Sequence, residues 1–294
     1  ATRDAQESRG LGDVYKRQLT ISGSNLGLPT FRFGGGSGTT SVDYSTIASG
    51  GTQQDFGTFG GGEQGMGAAS PTRGVLAGGT GPAQQSDISY ITIATLGNDQ
   101  HFGDLSATTD GVGGCSNSTR AIFRIRESTT IDTIQIATTG NGTSFAEGVS
   151  GVYGNFANSP TRAVYGMYTV GTPGTAVTDM SYTSLQTGGG SIDFGDLTSA
   201  TRHAGGSASP TRGIIAGGNR TPEGMTVDID YITIASTGNA IDFGDASATG
   251  GTQSAGCSSP TRAVWGGGYR SGKTNAIDYV TISTLGNAAD FGDL

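Results

Sequence analysis

One phrase returns six times along the chain, and its period constrains the fold more than any other feature. A typical copy begins with Ser-Pro-Thr-Arg, continues through an apolar run and a glycine pair, and closes with Asp-Phe-Gly-Asp. The closing aromatic residues lie 43 to 49 residues apart, at Phe56, Phe102, Phe145, Phe194, Phe243 and Phe291. A period of this size is typical of propellers and solenoids rather than of unrelated domains.

Each copy contains four short strand signals. The first is rich in small residues (203–208), the second is an apolar run before a glycine pair (263–265), the third alternates (229–234), and the fourth is short (241–243). Both faces of the third strand carry apolar side chains, as expected between two neighbouring sheets. Without helical periodicity, this pattern predicts an all-β protein: a β-propeller of about six four-stranded blades, or an incomplete part of a larger propeller.

Packing between blades is the expected source of stability, because one blade cannot bury both of its apolar faces alone. We expect Phe243, Tyr231, Ile232 and Trp265 in the layers between blades. Glycine supplies 54 of the 294 residues, and we expect small residues where inner strands of neighbouring blades approach closely. Gly238-Asn239 and its equivalents are predicted to form tight hairpin turns.

An arginine recurs directly after Pro-Thr or its equivalent. Together with the closing aromatics, these arginines are the predicted structural repeat residues: Arg73, Arg120, Arg162, Arg212 and Arg262. We expect them to pair with the repeated aspartates Asp104, Asp196, Asp245 and Asp293, within or between blades. Two alternatives stay open, a ring of cations that binds a ligand and a ring of acids that binds calcium, although no calcium-loop pattern occurs.

The repeats predict one propeller over residues 19–294. The copies span approximately 19–69, 70–117, 118–158, 159–208, 209–258 and 259–294. Residues 13–18 resemble the translation of a transposon adapter used in sequencing libraries. We therefore expect residues 1–18 to be a sequencing or assembly scar, or else a disordered arm, and the chain to be a fragment of a longer gene. Ring closure and the final number of blades stay open.

Composition excludes several function classes. The net charge is −8 and lysine occurs only at Lys16 and Lys273, which argues against nucleic-acid binding. No apolar run approaches the ~18 residues of a membrane span, so we expect no membrane insertion. His101 and His203 are too few for a three-histidine zinc site. We predict no cofactor, no metal and no catalytic residue.

The two cysteines, Cys115 and Cys257, occupy matching places in two copies. They are too few for a disulfide framework, and copies three apart would lie far from each other in a ring. We expect two small buried thiols rather than a disulfide.

Loops between the second and third strands vary in length and charge while the strands repeat. They are residues 168–178, 219–227 and 270–275. Such loops are where recognition is expected, and the predicted ligand-contact residues are Tyr168, Tyr269, Arg270, Lys273, Arg220 and Glu223. A catalytic residue would depart from the repeat, and Glu147 and Glu223 are acids that do so.

The order of an apolar run, a glycine pair, an alternating strand with a tyrosine and a closing aromatic resembles the kelch repeat, although kelch repeats usually close with tryptophan. The fuller phrase, Thr-Gly-Asn-Ala-x-Asp-Phe-Gly-Asp-Leu followed by Cys-Ser-Ser-Pro-Thr-Arg, is similar to repeats of structural and tail-fibre-like proteins of marine tailed phages. The resemblance implies a non-enzymatic virion or extracellular module, with other virion or surface proteins or host carbohydrate as partners. A glycan-active enzyme on a propeller scaffold and a bacterial surface adhesion protein are the alternatives.

Overall fold

The computed structural model describes most of the chain from residue 41 onward. The described residues are 41–44, 54–59, 65–80, 83–110, 113–152, 154–166, 168–170, 175–222, 224–247, 255–266 and 276–293. Within these ranges every regular element is a β-strand and none is a helix, so the predicted all-β class is confirmed. The expectation for residues 1–18 lies outside the described residues.

The strands form six units in chain order. From unit 2 onward each unit begins one strand earlier than the corresponding sequence copy, because the small-residue strand at the end of one copy is the first strand of the next sheet. Unit 1 contains β1 (Ser41–Tyr44) and β2 (Gln54–Thr58). Unit 2 contains β3 (Met66–Ala69), β4 (Arg73–Ala77), β5 (Gln85–Thr92) and β6 (Gln100–Thr109). Unit 3 contains β7 (Gly114–Ser116), β8 (Arg120–Arg124), β9 (Thr130–Gln135) and β10 (Thr143–Glu147).

The second half of the chain repeats this arrangement and adds short loop strands. Unit 4 contains β11 (Asn155–Asn158), β12 (Arg162–Gly166), β15 (Asp179–Ser184) and β16 (Gly188–Asp196), with β13 (Thr169–Val170) and β14 (Thr175–Ala176) in a loop. Unit 5 contains β18 (Gly205–Ala208), β19 (Arg212–Ala216), β22 (Asp228–Thr233) and β23 (Ile241–Asp245). Unit 6 contains β24 (Ala255–Ser258), β25 (Arg262–Gly266), β26 (Ala276–Thr281) and β27 (Ala289–Asp293). A separate small sheet joins β17 (Thr201–Arg202), β20 (Asn219–Arg220) and β21 (Gly224–Met225).

Units 2, 5 and 6 are separate antiparallel sheets whose four strands lie in chain order. Units 3 and 4 have the same internal order, but their last strands, β10 and β16, also pair in parallel at Ala146–Gly189 and Glu147–Gly190. The result is one eight-stranded sheet. Its two terminal strands, β7 and β11, are also in contact, so this sheet nearly closes on itself like a barrel.

Antiparallel order places the connections of each unit at two opposite ends. The first-to-second and third-to-fourth connections lie at one end, the turn end. The second-to-third connections and those leading to the next unit lie at the other, the loop end. Neighbouring units point the same way: the Ser116 hydroxyl, at the end of β7, donates to the Ala69 carbonyl, at the end of β3 (2.7 Å), and accepts from its N–H (2.9 Å).

The first strands of consecutive units contact one another in series: β3 with β7, β7 with β11, β11 with β18, and β18 with β24. Glycine permits this approach. A Cβ on Gly256 would lie 2.5 Å from the carbonyl oxygen of Gly206, and a Cβ on Gly206 would collide with the carbonyl of Phe156. The predicted use of small residues between first strands is confirmed here.

Apolar clusters fill the spaces between units. Between units 5 and 6, Phe243 and Ile214 pack with Trp265, and Tyr231 lies at the margin of the same cluster. Ile232, on the opposite face of the third strand of unit 5, packs in the cluster shared with unit 4. The predicted placement of these aromatic and aliphatic side chains between units is therefore confirmed.

The Gly-Asn pair has a different role from the predicted one. In unit 5 the hairpin turn is closed earlier, by the N–H of Ser236 donating to the carbonyl of Thr233 (3.2 Å). The N–H of Gly238 instead donates to the carbonyl of Phe194 in β16 of unit 4 (2.7 Å). Asn239 Oδ1 accepts from the N–H of Asp196 in the same β16 strand (3.0 Å). The tight-turn prediction is wrong, because the pair binds the neighbouring unit.

We call this contact the Gly-Asn clasp. The clasp also joins units 1 and 2, 2 and 3, and 5 and 6, through Gly97, Gly140 and Gly286. The opposing strand contributes the glycine of the Asp-Phe-Gly phrase. At Gly244, φ is +144° and a Cβ would lie 2.6 Å from the carbonyl carbon and oxygen of Gly286. The repeated phrase therefore encodes a close backbone contact between units.

Candidate functional site

The repeated arginines join units at the turn end. The guanidinium of Arg212 lies 4.8 Å from the centroid of the Tyr231 ring and donates to the carbonyl of Ile282 in the next unit (3.0 Å). Arg73, Arg120 and Arg162 make the equivalent bonds, to carbonyls that follow the third strand of the next unit: Ile136, Leu185 with Gln186, and Ile234 with Ala235. Arg262 stacks over Tyr279, with 4.7 Å to the ring centroid.

The predicted pairing of these arginines with the repeated aspartates is wrong for Arg73, Arg120, Arg162 and Arg212, which bind backbone carbonyls instead. The carbonyls project from the turn of the next unit toward the guanidinium, which the aromatic ring holds in position. The arginines are thus committed to contacts between units.

The closing aromatics complete the same assembly. Five of the six are edge-on to the tyrosine of their own unit, with ring centroids 5.9 to 6.1 Å apart, at Phe56, Phe102, Phe194, Phe243 and Phe291. Unit 3 has Thr133 in the tyrosine position, and there Arg120 lies directly over Phe145 (4.4 Å). The turn end is therefore nearly the same from unit to unit.

The loop end differs from unit to unit. Between units 2 and 3, the buried carboxylate of Asp110 binds the guanidinium of Arg126 (2.5 Å), the hydroxyl of Thr80 (2.5 Å) and the amide of Gln84 (3.0 Å). None of these residues belongs to the repeated phrase.

Between units 4 and 5, Arg220 lies in an acidic cluster. Its guanidinium binds Asp228 (2.8 Å) and Asp230 (2.9 Å), and the hydroxyl of Thr198 also donates to Asp230 (2.6 Å). Burial raises the pKa of the Asp230 carboxyl. The side chain of Arg220 is only 11 % exposed, so this predicted ligand-contact residue presents little surface to a ligand.

Between units 3 and 4, Arg124 is buried, and no carboxylate among the described residues pairs with it. Its guanidinium lies 5.4 Å from the ring centroids of both Tyr165 and Tyr168, and Nη2 donates to the carbonyl of Val149 (2.6 Å). Burial lowers the pKa of this guanidinium. Tyr168, a predicted ligand-contact residue, is only 2 % exposed, because it covers Arg124.

The remaining predicted ligand-contact residues, Tyr269, Arg270, Lys273 and Glu223, lie outside the described residues. Glu147 is exposed at the end of β10. The prediction of two buried free thiols is confirmed for Cys115 and Cys257. Among the described residues, no three His, Cys, Asp or Glu side chains come together in a geometry that could hold a metal ion.

A further repeated contact was missed at the sequence level. The aspartate that follows isoleucine in the middle of the third strand is buried in units 3, 5 and 6. It accepts a hydrogen bond from a serine or threonine of the preceding unit, two residues past the Phe-Gly-Asp phrase. Asp132 accepts from the N–H of Ser106 (2.7 Å), and Asp278 accepts from the hydroxyl of Ser247 (2.6 Å). The recurrence of aspartate inside an apolar strand was the available signal.

Unit 2 has Ser89 in place of this aspartate, and a cavity of about 130 Å³ lies there between units 1 and 2. Phe59 and Leu76 form its apolar part, and Asp87, Ser89 and His101 are among its polar lining residues.

No family model and no curated protein matches this chain. The described part of the chain contains no helix of the length and apolarity that crossing a bilayer requires.

Proposed function

We propose that the chain is a kelch-like β-propeller that acts as a non-enzymatic recognition or structural module and binds its partners through the loop end. The contrast between the two ends carries this proposal. The turn end repeats one set of contacts, whereas the loop end has a different polar cluster at each of three junctions, those of units 2 and 3, 3 and 4, and 4 and 5. A framework with one constant and one variable end is typical of a binding module.

The propeller architecture is supported by how the units meet. First strands contact one another in series, and apolar clusters fill the spaces between consecutive units. A closed ring requires unit 6 to pack on both faces. On its face away from unit 5, Cys257, Val264 and Ile277 are all at most 5 % exposed, as a further packed unit would leave them. The full chain should then scatter X-rays with a radius of gyration of about 19 Å.

The proposed partners are other virion or surface proteins, or host carbohydrate. The phage assignment rests on the similarity of the repeated phrase to tail-fibre-like repeats. The non-enzymatic assignment rests on the residues of the loop end, where Arg126 and Arg220 are tied to carboxylates.

A comparison of the two ends tests this proposal. Val170 and Met225 are exposed apolar residues at the loop end, and Leu96 and Leu285 are exposed apolar residues in turn-end hairpins. The fluorescently labelled chain is applied to a glycan array and to bacterial cells, together with the Val170→Lys/Met225→Lys and Leu96→Lys/Leu285→Lys variants.

We expect the loop-end variant to lose binding by at least tenfold, while the turn-end variant binds as the parent does. Loss confined to the turn-end variant, or binding that neither variant changes, would contradict the proposal. Release of new reducing ends from a bound glycan would instead support the enzyme alternative.

A further inference from the structure

We infer that the cavity between units 1 and 2 is a binding site for a neutral sugar residue. The inference deepens the proposed function and rests on it, because it names one site and one ligand class for the recognition module. The inference starts from the junction of units 1 and 2, where residues on both sides of a repeated contact differ from the repeat.

In three other units an aspartate side chain occupies the position that corresponds to this cavity. Asp132, Asp230 and Asp278 are at most 3 % exposed, and each accepts a hydrogen bond from a serine or threonine of the preceding unit. Each carboxylate fills the space between two units and satisfies a donor there. A buried carboxylate requires such donors. Ser106 supplies its backbone N–H, whereas Thr198 and Ser247 supply their hydroxyls.

Both partners are changed at the junction of units 1 and 2. Ser89 replaces the aspartate, and the sequence has Gly60, which carries no hydroxyl, at the position of Ser106 and Thr198. This place therefore has neither the carboxylate acceptor nor the hydroxyl donor that Asp230 and Thr198 supply between units 4 and 5. The cavity lies beside Ser89, at the place that a carboxylate occupies in the other three units, and it is large enough to hold water.

A third change adds a polar group to the cavity. The aspartate of the Asp-Phe-Gly phrase, present at Asp193, Asp242 and Asp290, is replaced by His101. His101 is the cross-strand partner of Ser89, and both side chains line the cavity. The imidazole is exposed, which leaves it accessible to a ligand.

The lining chemistry selects the ligand class. Phe59 and Leu76 close the buried side of the cavity and are at most 2 % exposed, so a ligand there would make most of its contact with the polar lining residues. Ser89, Asp87 and His101 supply a hydroxyl, a carboxylate and an imidazole, which together donate to and accept from neighbouring hydroxyl groups.

Charge and coordination disfavour other ligands. Asp87 would repel an anion, and the chain as a whole carries −8. A metal ion would need more ligands than one carboxylate and one imidazole. The cavity also lies near the loop end, because Phe59, Gly78 and Gln85 lie at or beside strand ends on that side.

Saturation-transfer NMR on the full chain tests the site, with methyl glycosides of glucose, galactose and mannose as probes. The chain has only two histidines, so the ring signals of His101 report on the cavity and those of His203 serve as an internal control. Ser89→Asn fills the cavity, and His101→Ala removes an exposed donor with little risk to folding. Asp242→His is the matched control, because it places histidine in unit 5, where Asp230 fills the corresponding space.

We expect at least one glycoside to bind and to shift the NMR signals of His101 but not those of His203. The affinity for that glycoside should fall at least tenfold in Ser89→Asn and fivefold in His101→Ala. The Asp242→His variant should bind as the parent does. Binding that leaves His101 unshifted and both cavity variants unimpaired would overturn this site while the proposed function stands. If no glycoside binds but the glycan array is positive, the inference also fails alone. If no glycoside binds and the glycan array is also negative, the inference fails together with the proposal that the module binds host carbohydrate.

Discussion

The Gly-Asn clasp between units 5 and 6 predicts that two neighbouring glycines will respond very differently to alanine. Gly244 and Gly286 have nearly the same backbone conformation, with φ of +144° and +145°. A Cβ on Gly244 would lie 2.6 Å from the carbonyl carbon and oxygen of Gly286, whereas a Cβ on Gly286 has no atom within 4 Å. Both substitutions carry the same conformational cost, but only Gly244→Ala forces the two units apart.

The magnitudes follow from these contacts. Alanine in this backbone region costs about 1 to 3 kcal/mol, which is the expected loss of unfolding free energy for Gly286→Ala. Three hydrogen bonds cross at the clasp: Gly286 to Phe243 (2.9 Å), Ala288 to Asp245 (2.7 Å), and the N–H of Asp245 to Asn287 Oδ1 (3.1 Å). At about 1 kcal/mol each, their loss makes Gly244→Ala about 3 kcal/mol worse than Gly286→Ala.

Trp265 makes the measurement local. It is the single tryptophan, and it is buried in the apolar cluster between these two units. Guanidinium denaturation followed by its fluorescence reports the stability of this junction, with Asn287→Ala as a milder variant that loses about 1 kcal/mol. If Gly244→Ala and Gly286→Ala differ by less than about 1 kcal/mol, the clasp does not hold the units together as described.

Three further predictions concern other side chains. Arg212→Ala should lower the unfolding free energy by about 2 to 3 kcal/mol in the same titration, because it loses a charged hydrogen bond and an aromatic stack, and Arg212→Lys should recover part of it. Burial raises the pKa of the Cys115 thiol, so at pH 8 a thiol reagent should label Cys115 and Cys257 only after denaturant is added; rapid labelling of the native chain would contradict this. Burial and Arg202 lower the pKa of His203 to about 4, so stability should fall as pH falls from about 6.5 to about 4, because the unfolded chain binds the proton first. His203→Asn, which tolerates the φ of 60°, should flatten that decline in thermal melts, and an unchanged slope would refute it.

The repeat made the strand pattern predictable. Alternation along 229–234 correctly placed Ile229 and Ile232 against different neighbouring units, since a period of two sends successive side chains to opposite faces. The number and order of strands within a unit follow from the same local signals.

The partners of the polar residues could not be predicted in the same way. A repeated arginine and a repeated aspartate suggested an ion pair, but the guanidinium of Arg212 meets a carbonyl exposed by the turn of the next unit. Gly238-Asn239 looked like a turn because local propensity cannot reveal that a neighbouring strand lies against it. Contacts between units depend on their relative placement, which the sequence of one unit does not encode by itself.

The candidate site was partly visible as a set of exceptions. Ser89 and His101 each depart from the repeat, yet neither residue type signals binding alone. Only the placement of units 1 and 2 brings the two departures to one cavity. Tyr168, in contrast, is an aromatic residue in a variable loop, and this pattern alone predicts a ligand contact. The structure shows that Tyr168 covers Arg124, which is itself a departure from the repeat.

The clasp also has a consequence for how such a chain can change over generations. Four junctions use the same backbone hydrogen bonds and nearly the same phrase. Recombination between two copies within the gene therefore yields a protein with one copy more or fewer, in which neighbouring units can still form the clasp. The junction of units 3 and 4 breaks this interchangeability, because β10 and β16 pair there directly. Gain and loss of copies is therefore expected on either side of that junction, and the β10–β16 pair should be inherited as a block.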